Sequence, residues 1–214
     1  MCCTSLFTNR PSPVDRITDL DALLDHVWTY VTEAGTNSQH PFRTPAFGTA
    51  GIDPPNLRTV VLRHADADDR TLAFHTDRRA GKVGQIRAHD RVAWHGWDPE
   101  SSQQLLLHGS ATVHTSDRVA DEMWEAASPR ELQLYMRPKT PGTPLDAPSD
   151  ALDDRVKSDD LTREDVAPGR KYFAAVRTVI DEIIFLHLHP EGHYRARFRY
   201  DDGADEWDGD WIVP

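Results

Sequence analysis

The chain has 214 residues, of which 38% are hydrophobic and 28% charged, and its formal net charge is −11 at pH 7. This length and composition predict a globular protein with one substantial core, and the acidic charge argues against a nucleic-acid partner, because binding to a phosphate backbone depends on Lys and Arg. The only cysteines, Cys2 and Cys3, are adjacent and cannot staple a fold, so a reducing, cytoplasmic location is expected.

Several absences narrow the function further. The sequence has no apolar run of about 18 residues, so neither a membrane span nor a membrane partner is expected. Its start lacks the apolar core of a secretory signal, which supports the cytoplasmic expectation. A Walker loop, a Gly-rich dinucleotide fingerprint, a nucleophile elbow and an HExxH pair are all missing, which argues against the enzyme classes that use them.

We expect one domain over residues 1–214, with a polar, flexible tail at residues 1–15. Apolar residues at helical spacing then predict an amphipathic helix over residues 17–34, packed on a sheet and ended by Gly35. Asp19 lies where the start of a helix favours an acidic side chain.

The central stretch, residues 56–115, predicts strands joined by a short helix. That helix begins after Asp77, which we expect to cap it, and ends at Ala88. The triplet Val60, Val61 and Leu62 is continuously apolar, which predicts a strand buried on both faces and hints at a homodimer. Gly109 inside a strand indicates a bulge or a close approach. The predicted strands are residues 58–63, 71–76, 91–97 and 103–115, and residues 46–50 can form another.

Two helices and a long loop follow this stretch. We expect one helix over residues 117–126, capped by Ser116, and a second that starts with a capping box between Ser128 and Glu131. Residues 137–168 are rich in Pro and Asp, which predicts a long loop that is either disordered or a lid.

The carboxy-terminal part again predicts strands, over residues 172–179, 182–187, 193–200 and 207–213. In the third of these, Tyr194, Ala196, Phe198 and Tyr200 alternate with His193 and three arginines, as in a strand with one buried face. Many short strands with few helices predict a mainly β, α+β fold: an antiparallel barrel or sandwich with flanking helices.

Cations at strand ends and at a helix start suggest a phosphate site. Arg58, Arg63, Thr76 and Lys82 occupy such positions, where Lys and Arg supply charge and first-turn amides lack partners. A second cationic stripe, Arg195, Arg197 and Arg199, can equally be a solvated strand face. We interpret His187, His189 and His193 as surface or turn histidines and expect no metal site.

The order and spacing of these motifs resemble the pyridoxamine 5′-phosphate oxidase family. The residues that carry the resemblance are RTVVLR at 58–63, LAFHTD at 72–77, Lys82 with Gln85 and Ile86, residues 92–97, Gln104, the Gly109–Ser110–Ala111 triplet, and a closing segment with Arg195, Arg197, Phe198, Tyr200, Trp207 and Pro214. The resemblance covers roughly residues 57–115 and 182–214.

The resemblance implies an antiparallel split β-barrel with FMN bound at a homodimer interface. By position, Arg58, Thr76 and Lys82 would bind the FMN phosphate, and Gln104 and Arg197 would contact the flavin ring from the partner subunit. The residues that would line the flavin are Thr59, Val60, Val61, Leu62, Arg63 and, where the family usually has Tyr, His75. Arg137, His193 and Arg195 would contact the substrate.

Several departures from the family pattern bear on the substrate, among them Pro141 and Gly142 in place of the polar residues expected after Arg137. Gly81 stands where the family tends to place a second phosphate-binding Arg, and His187 where it places a flavin-contacting Trp. His193 and Arg195 replace a usual Arg and His pair. The favoured function is therefore an FMN-dependent oxidoreductase with no assigned substrate or catalytic residue. A genuine pyridoxamine or pyridoxine 5′-phosphate oxidase, a non-catalytic flavin or tetrapyrrole binder, and a deazaflavin reductase remain alternatives.

Overall fold

The computed structural model describes residues 15–50, 55–158 and 160–214. Its centre is a nine-stranded antiparallel sheet with helices at its edges, so the predicted fold class, mainly β with flanking helices, is confirmed. The strands are β1 (Ala46–Thr49), β2 (Asn56–Thr59), β3 (His64–Asp66), β4 (Thr71–Asp77), β5 (Arg91–Asp98), β6 (Gln103–His114), β7 (Phe173–His187), β8 (Tyr194–Asp201) and β9 (Glu206–Ile212). Most of the predicted flexible tail lies outside the described residues.

The sheet divides into two branches at β7, because β4 and β8 pair with different halves of this long strand. Its strand order is β2-β1-β5-β6-β7-β4-β3, while β8 and β9 extend from the other half of β7. The first half of β7 pairs with β4 and the second half with β8, and β6 runs along both halves. The two strands predicted at 172–179 and 182–187 are thus one strand, interrupted only by a register shift opposite His108 and Gly109.

Residues 60–63 carry the chain from one end of the sheet to the other. The amide of Val60 donates to the Pro45 carbonyl (3.1 Å) and that of Arg63 to the Ala73 carbonyl (2.8 Å), on opposite edges of the sheet. The prediction of one strand over 58–63 was therefore wrong, because β2 ends at Thr59 and the next residues cross the seam of an unclosed barrel. Val60 and Leu62 are buried but Val61 is 37% exposed, so burial on both faces was also wrong for a single chain.

The core is formed by one face of the sheet and by α1 (Leu20–Thr36). This helix begins later than residue 17, because Asp19 caps it, and it continues past Gly35, its predicted end. At its centre, the Phe47 ring lies edge-on to Phe74 (4.9 Å between centroids) and to Trp94 (5.0 Å), an arrangement that favours aromatic pairs. Burying each such ring contributes about 1.5–3 kcal/mol to the free energy of unfolding. The predicted alternation in β8 is confirmed, since Tyr194, Ala196 and Phe198 are buried.

Four shorter helices complete the fold: α2 (Gly81–Ala88), α3 (Arg118–Ala126), α4 (Pro129–Leu132) and α5 (Arg163–Val166). The capping box of Ser128 and Glu131 at α4 is confirmed, whereas α3 is capped by Asp117 and not by the predicted Ser116. Residues 137–153 have no regular structure, and a single 3-10 turn, Asp154–Val156, precedes α5.

Candidate functional site

Three of the predicted phosphate-binding residues meet near the start of α2. Lys82, in the first turn of α2, donates from Nζ to Oγ1 of Thr76 near the end of β4 (3.1 Å). Arg58, on β2, donates to Oγ1 of Thr49 (2.9 Å) and to Oε1 of Gln85 (2.8 Å). We refer to Arg58, Thr76 and Lys82 as the cation cluster.

The cation cluster has an excess of positive charge. Burial lowers the pKa of Lys82, and the nearby charge of Arg58 lowers it further, while Asp77 opposes the shift. Asp77 is already bound by Arg79, whose Nη2 lies 2.6 Å from Oδ2 and whose backbone N–H lies 2.8 Å from Oδ1. Two half-buried cations held close together favour the binding of an anion, because the charge of Arg58 disfavours the charged form of Lys82 and a bound anion would offset that repulsion.

The start of α2 is open to such an anion. Its N-cap is Ala80, and no side chain caps the helix, so the predicted cap by Asp77 was wrong. The reason is that Arg79 binds the Asp77 carboxylate within the turn that precedes the helix. A Cβ at Gly81 would meet nothing within 4 Å, so the space beside the first residue of α2 is open. An uncapped helix start with adjacent cations is chemically suited to a phosphate monoester.

Arg63 and His75 lie apart from the cation cluster, at the other end of the 60–63 crossing. They line a cavity of about 470 Å³ between α3 and one face of β3, β4 and β7. Nη1 of Arg63 forms an ion pair with Glu131. Nδ1 of His75 lies 2.7 Å from the hydroxyl of Tyr135. Burial, and secondarily the charge of Arg63, lowers the pKa of His75 to about 4, so the imidazole is neutral at pH 7.

The residues assigned to a partner subunit lie on the outer face of the sheet. Thr59 and Arg197 belong to one cross-strand row, five strands apart, so they are separated by about 24 Å along the sheet at the usual strand spacing. Gln104 and Arg195 belong to the neighbouring row. The first row is Thr59, Ala46, His95, Leu106, Ile184, Arg197 and Asp210; the second is Trp97, Gln104, Leu186, Arg195 and Ile212.

The predicted substrate-binding residues do not converge within one chain. Arg137 donates from Nε to the carbonyl of Asp150 (2.7 Å). His193 is exposed before β8, and Nε of Arg195 is buried without a partner. His187 and His189 are buried, so a surface position was wrong for both, although His189 does directly precede the turn at Pro190. Nδ1 of His187 lies 3.0 Å from the Tyr194 hydroxyl.

Sequence reasoning missed several residues around the two sites. Glu131 was assigned only to a helix cap, although it also binds Arg63, and Thr49 was not considered as a partner of Arg58. Arg177 interrupts the apolar run of β7, and this interruption is a signal that could have identified it as a cavity residue. No helix in residues 15–50, 55–158 and 160–214 is both long and apolar enough to cross a membrane.

Comparisons with known proteins give one family-model match and several similar folds. Residues 25–115 match the family model described as pyridoxamine 5′-phosphate oxidase, FMN-binding domain. No curated protein matches the chain. A pyridoxamine 5′-phosphate oxidase-related, FMN-binding protein from Nostoc punctiforme PCC 73102 is similar in structure, with a TM-score of 0.67, 21% identity, and coverage of 89% of this chain and 96% of that one.

A second similar structure is PhzG from Burkholderia lata 383, determined in complex with tetrahydrophenazine-1-carboxylic acid. Its TM-score is 0.66 at 17% identity, and the match covers 91% of this chain and 92% of that one. The likeness to both structures is one of fold. Over residues 25–115 the chain therefore matches the FMN-binding domain of the pyridoxamine 5′-phosphate oxidase family, without the identity of any particular oxidase.

Proposed function

We propose that the chain binds FMN and that the cation cluster holds its phosphate. The observation that carries the proposal is the convergence of Arg58, Thr76 and Lys82 from three different elements beside an uncapped helix start. Cations, a hydroxyl and free amides are the groups that a phosphate monoester requires. The match to an FMN-binding domain family supports the same cofactor.

The flavin ring would extend from the cluster along the crossing segment. Thr59 and Val61 are exposed there, and the cavity residues Arg63 and His75 lie at its far end. When bound, FMN supplies the electron-accepting chemistry of an oxidoreductase. The chain supplies an apolar strand edge against the ring and cations around it, and the substrate is unassigned.

We also propose that the protein acts as a homodimer through the outer face of the sheet. Leu106, Ile184 and Leu186 lie side by side on this face and are only half-buried, and Trp97 is 42% exposed. An apolar patch of this kind on a sheet face is typical of a protein–protein interface. Gln104 and Arg197 lie on the same face, where a partner could bring them to the flavin.

FMN titration tests the cofactor proposal. In equilibrium dialysis, Lys82→Met and Arg58→Gln are each expected to weaken FMN binding at least tenfold, since each removes a charge that faces the phosphate. Arg87→Gln, an exposed position later in α2, is the matched control and should bind as the wild type does. Wild-type affinity in both cluster variants would refute the site.

Activity needs a separate experiment, because FMN binding does not by itself make an oxidoreductase. Mixing FMN-loaded protein anaerobically with candidate substrates, pyridoxamine 5′-phosphate among them, should bleach the flavin absorbance if the compound is oxidised. Bleaching by pyridoxamine 5′-phosphate, with peroxide formed on readmission of air, would favour the oxidase alternative over an unassigned substrate.

A further inference from the structure

We propose that the cavity beside α3 binds a small organic carboxylate with an apolar body. The cavity of about 470 Å³ has the size of a small-molecule site. It lies on the face of β4 opposite to Thr76. It shares Arg63 and His75 with the expected flavin lining, but Arg177 and the residues of α3, which carry the inference, lie outside that lining.

Arg177 is the residue that gives the cavity its affinity for an anion. It lies on β7, directly opposite Ala73 of β4, in the same cross-strand row as His64. Among the residues that the structure describes, its half-buried guanidinium has no hydrogen-bond or ion-pair partner. A guanidinium that lines a cavity and has no anionic partner can bind a carboxylate. Its planar N–H groups match the two carboxylate oxygens and can donate two parallel hydrogen bonds to them.

The other two guanidinium groups inside the cavity are already engaged. Arg63 is neutralised by Glu131. Arg43 donates from Nη1 to the carbonyl oxygens of Ala34 (3.1 Å) and Gly35 at the carboxy-terminal end of α1, whose dipole is negative there. Arg43 keeps its charge but is held by the helix end, and only the Nε of Arg63 lacks a partner. Arg177 is therefore the guanidinium of the three that can offer its whole fork to a ligand, which favours a carboxylate.

Charged residues at the mouth of the cavity contribute less than Arg177 to the binding of an anion. Arg118 and Glu122 are exposed and lie 3.4 Å apart in an i,i+4 pair on α3. His64 and Asp69 are exposed as well. Solvent screens such groups, so they can affect the approach of a ligand but add little to its bound energy.

An apolar wall completes the cavity. Val119 and Met123 of α3, together with Ala127, face Ala73 of β4 across it. Met adapts its shape to irregular apolar ligands. A ligand that fits this cavity carries a ring or a short chain against the α3 wall and a carboxylate towards Arg177.

The site can be tested by calorimetric titration of the full chain with benzoate. Benzamide is the matched probe, since it has the same shape without the charge, and phenyl phosphate is the dianion. We expect saturable benzoate binding at one site per chain, benzamide at least tenfold weaker, and phenyl phosphate no tighter than benzoate. Absence of benzoate binding, equal binding of benzamide, or tighter binding of phenyl phosphate would each overturn the assignment.

Variants locate the binding to this cavity. Arg177→Gln should weaken benzoate binding at least tenfold, and Arg177→Lys should bind with intermediate affinity because it keeps the charge but not the fork. Arg87→Gln serves again as the control. Because Arg177 has no partner to lose, circular dichroism and thermal melting should stay unchanged. Wild-type benzoate affinity in Arg177→Gln would refute the role of this residue.

Titration of the same variants with FMN separates this inference from the proposed function. Arg177→Gln should keep the wild-type FMN affinity, and Lys82→Met should keep the wild-type benzoate affinity. If the wild-type protein binds benzoate but no FMN, the proposed function fails and the carboxylate site stands. Loss of both ligands in the folded Arg177→Gln variant would contradict a separate site.

Discussion

His75 and Thr76 are consecutive in β4, yet their side chains belong to different sites. Thr76 accepts a hydrogen bond from Lys82 on one face of the sheet, and His75 lies beside Tyr135 on the other. Side chains alternate between faces along a strand, so one short segment borders both the cation cluster and the α3 cavity. A change at Thr76 should therefore affect the cation cluster and leave the α3 cavity intact.

Placing an acidic side chain at Gly81 should prevent FMN binding without unfolding the protein. A Cβ there meets nothing within 4 Å, and an acid at the start of a helix stabilises the helix itself. Gly81→Asp should therefore lower FMN affinity at least tenfold by repelling the phosphate, while Gly81→Ala retains it. Equal FMN affinity for the two variants in equilibrium dialysis would show that the phosphate lies elsewhere.

Stability should fall in mild acid because of His75. Its pKa of about 4 lies below the ordinary value of 6.5. Between these values the unfolded chain binds a proton that the folded chain does not, so the free energy of unfolding decreases as the pH falls, by up to about 3 kcal/mol.

The test of this pH dependence compares the wild type with His75→Gln, which keeps a hydrogen-bonding group near Tyr135. Urea unfolding at pH 7 and pH 5 should show a smaller loss of stability in the variant. An NMR titration in which the His75 ring has a pKa above 6 would refute the effect.

Two glycine-to-alanine substitutions should change stability in opposite directions. At Gly109 a Cβ would lie 2.1 Å from the carbonyl oxygen of Val179, so Gly109→Ala forces the bulge between β6 and β7 apart. We expect a loss of about 1–3 kcal/mol. At Gly84, exposed within α2, a Cβ meets nothing, and Gly84→Ala should stabilise by about 0.5–1 kcal/mol. Urea unfolding measures both, and equal values would contradict the close approach at Gly109.

A charge on the outer face should break the proposed homodimer. Ile184→Glu places a carboxylate beside Leu106 in the apolar patch and opposite Arg197, and an interface that covers this position would have to desolvate the added charge. Sedimentation velocity should then change from dimer to monomer. Leu145→Glu, at an apolar residue of the 137–168 segment that is 41% exposed, is the control and should leave the dimer intact. A wild-type monomer, or a dimeric Ile184→Glu variant, would refute this interface.

Local chemistry made part of the structure predictable from the chain itself. The alternation in β8, the capping box of α4 and the period of α1 depend on residues that are close in sequence. Each of these elements forms, and only the ends of α1 differ from the prediction. The proximity of Arg58, Thr76 and Lys82 could be predicted for a related reason. Their two strands and one helix lie within a short stretch of the chain, and such a stretch has few ways to fold.

The tertiary structure decided what depends on pairing across long sequence separations. The crossing at residues 60–63 exists because the two ends of the sheet approach each other, which the continuous apolar triplet could not reveal. The same geometry takes Arg63 and His75 away from the cation cluster and places them near Glu131 and Arg177. Strand order and register determine which distant side chains share a cavity, and a residue pattern along one strand carries no information about its neighbours.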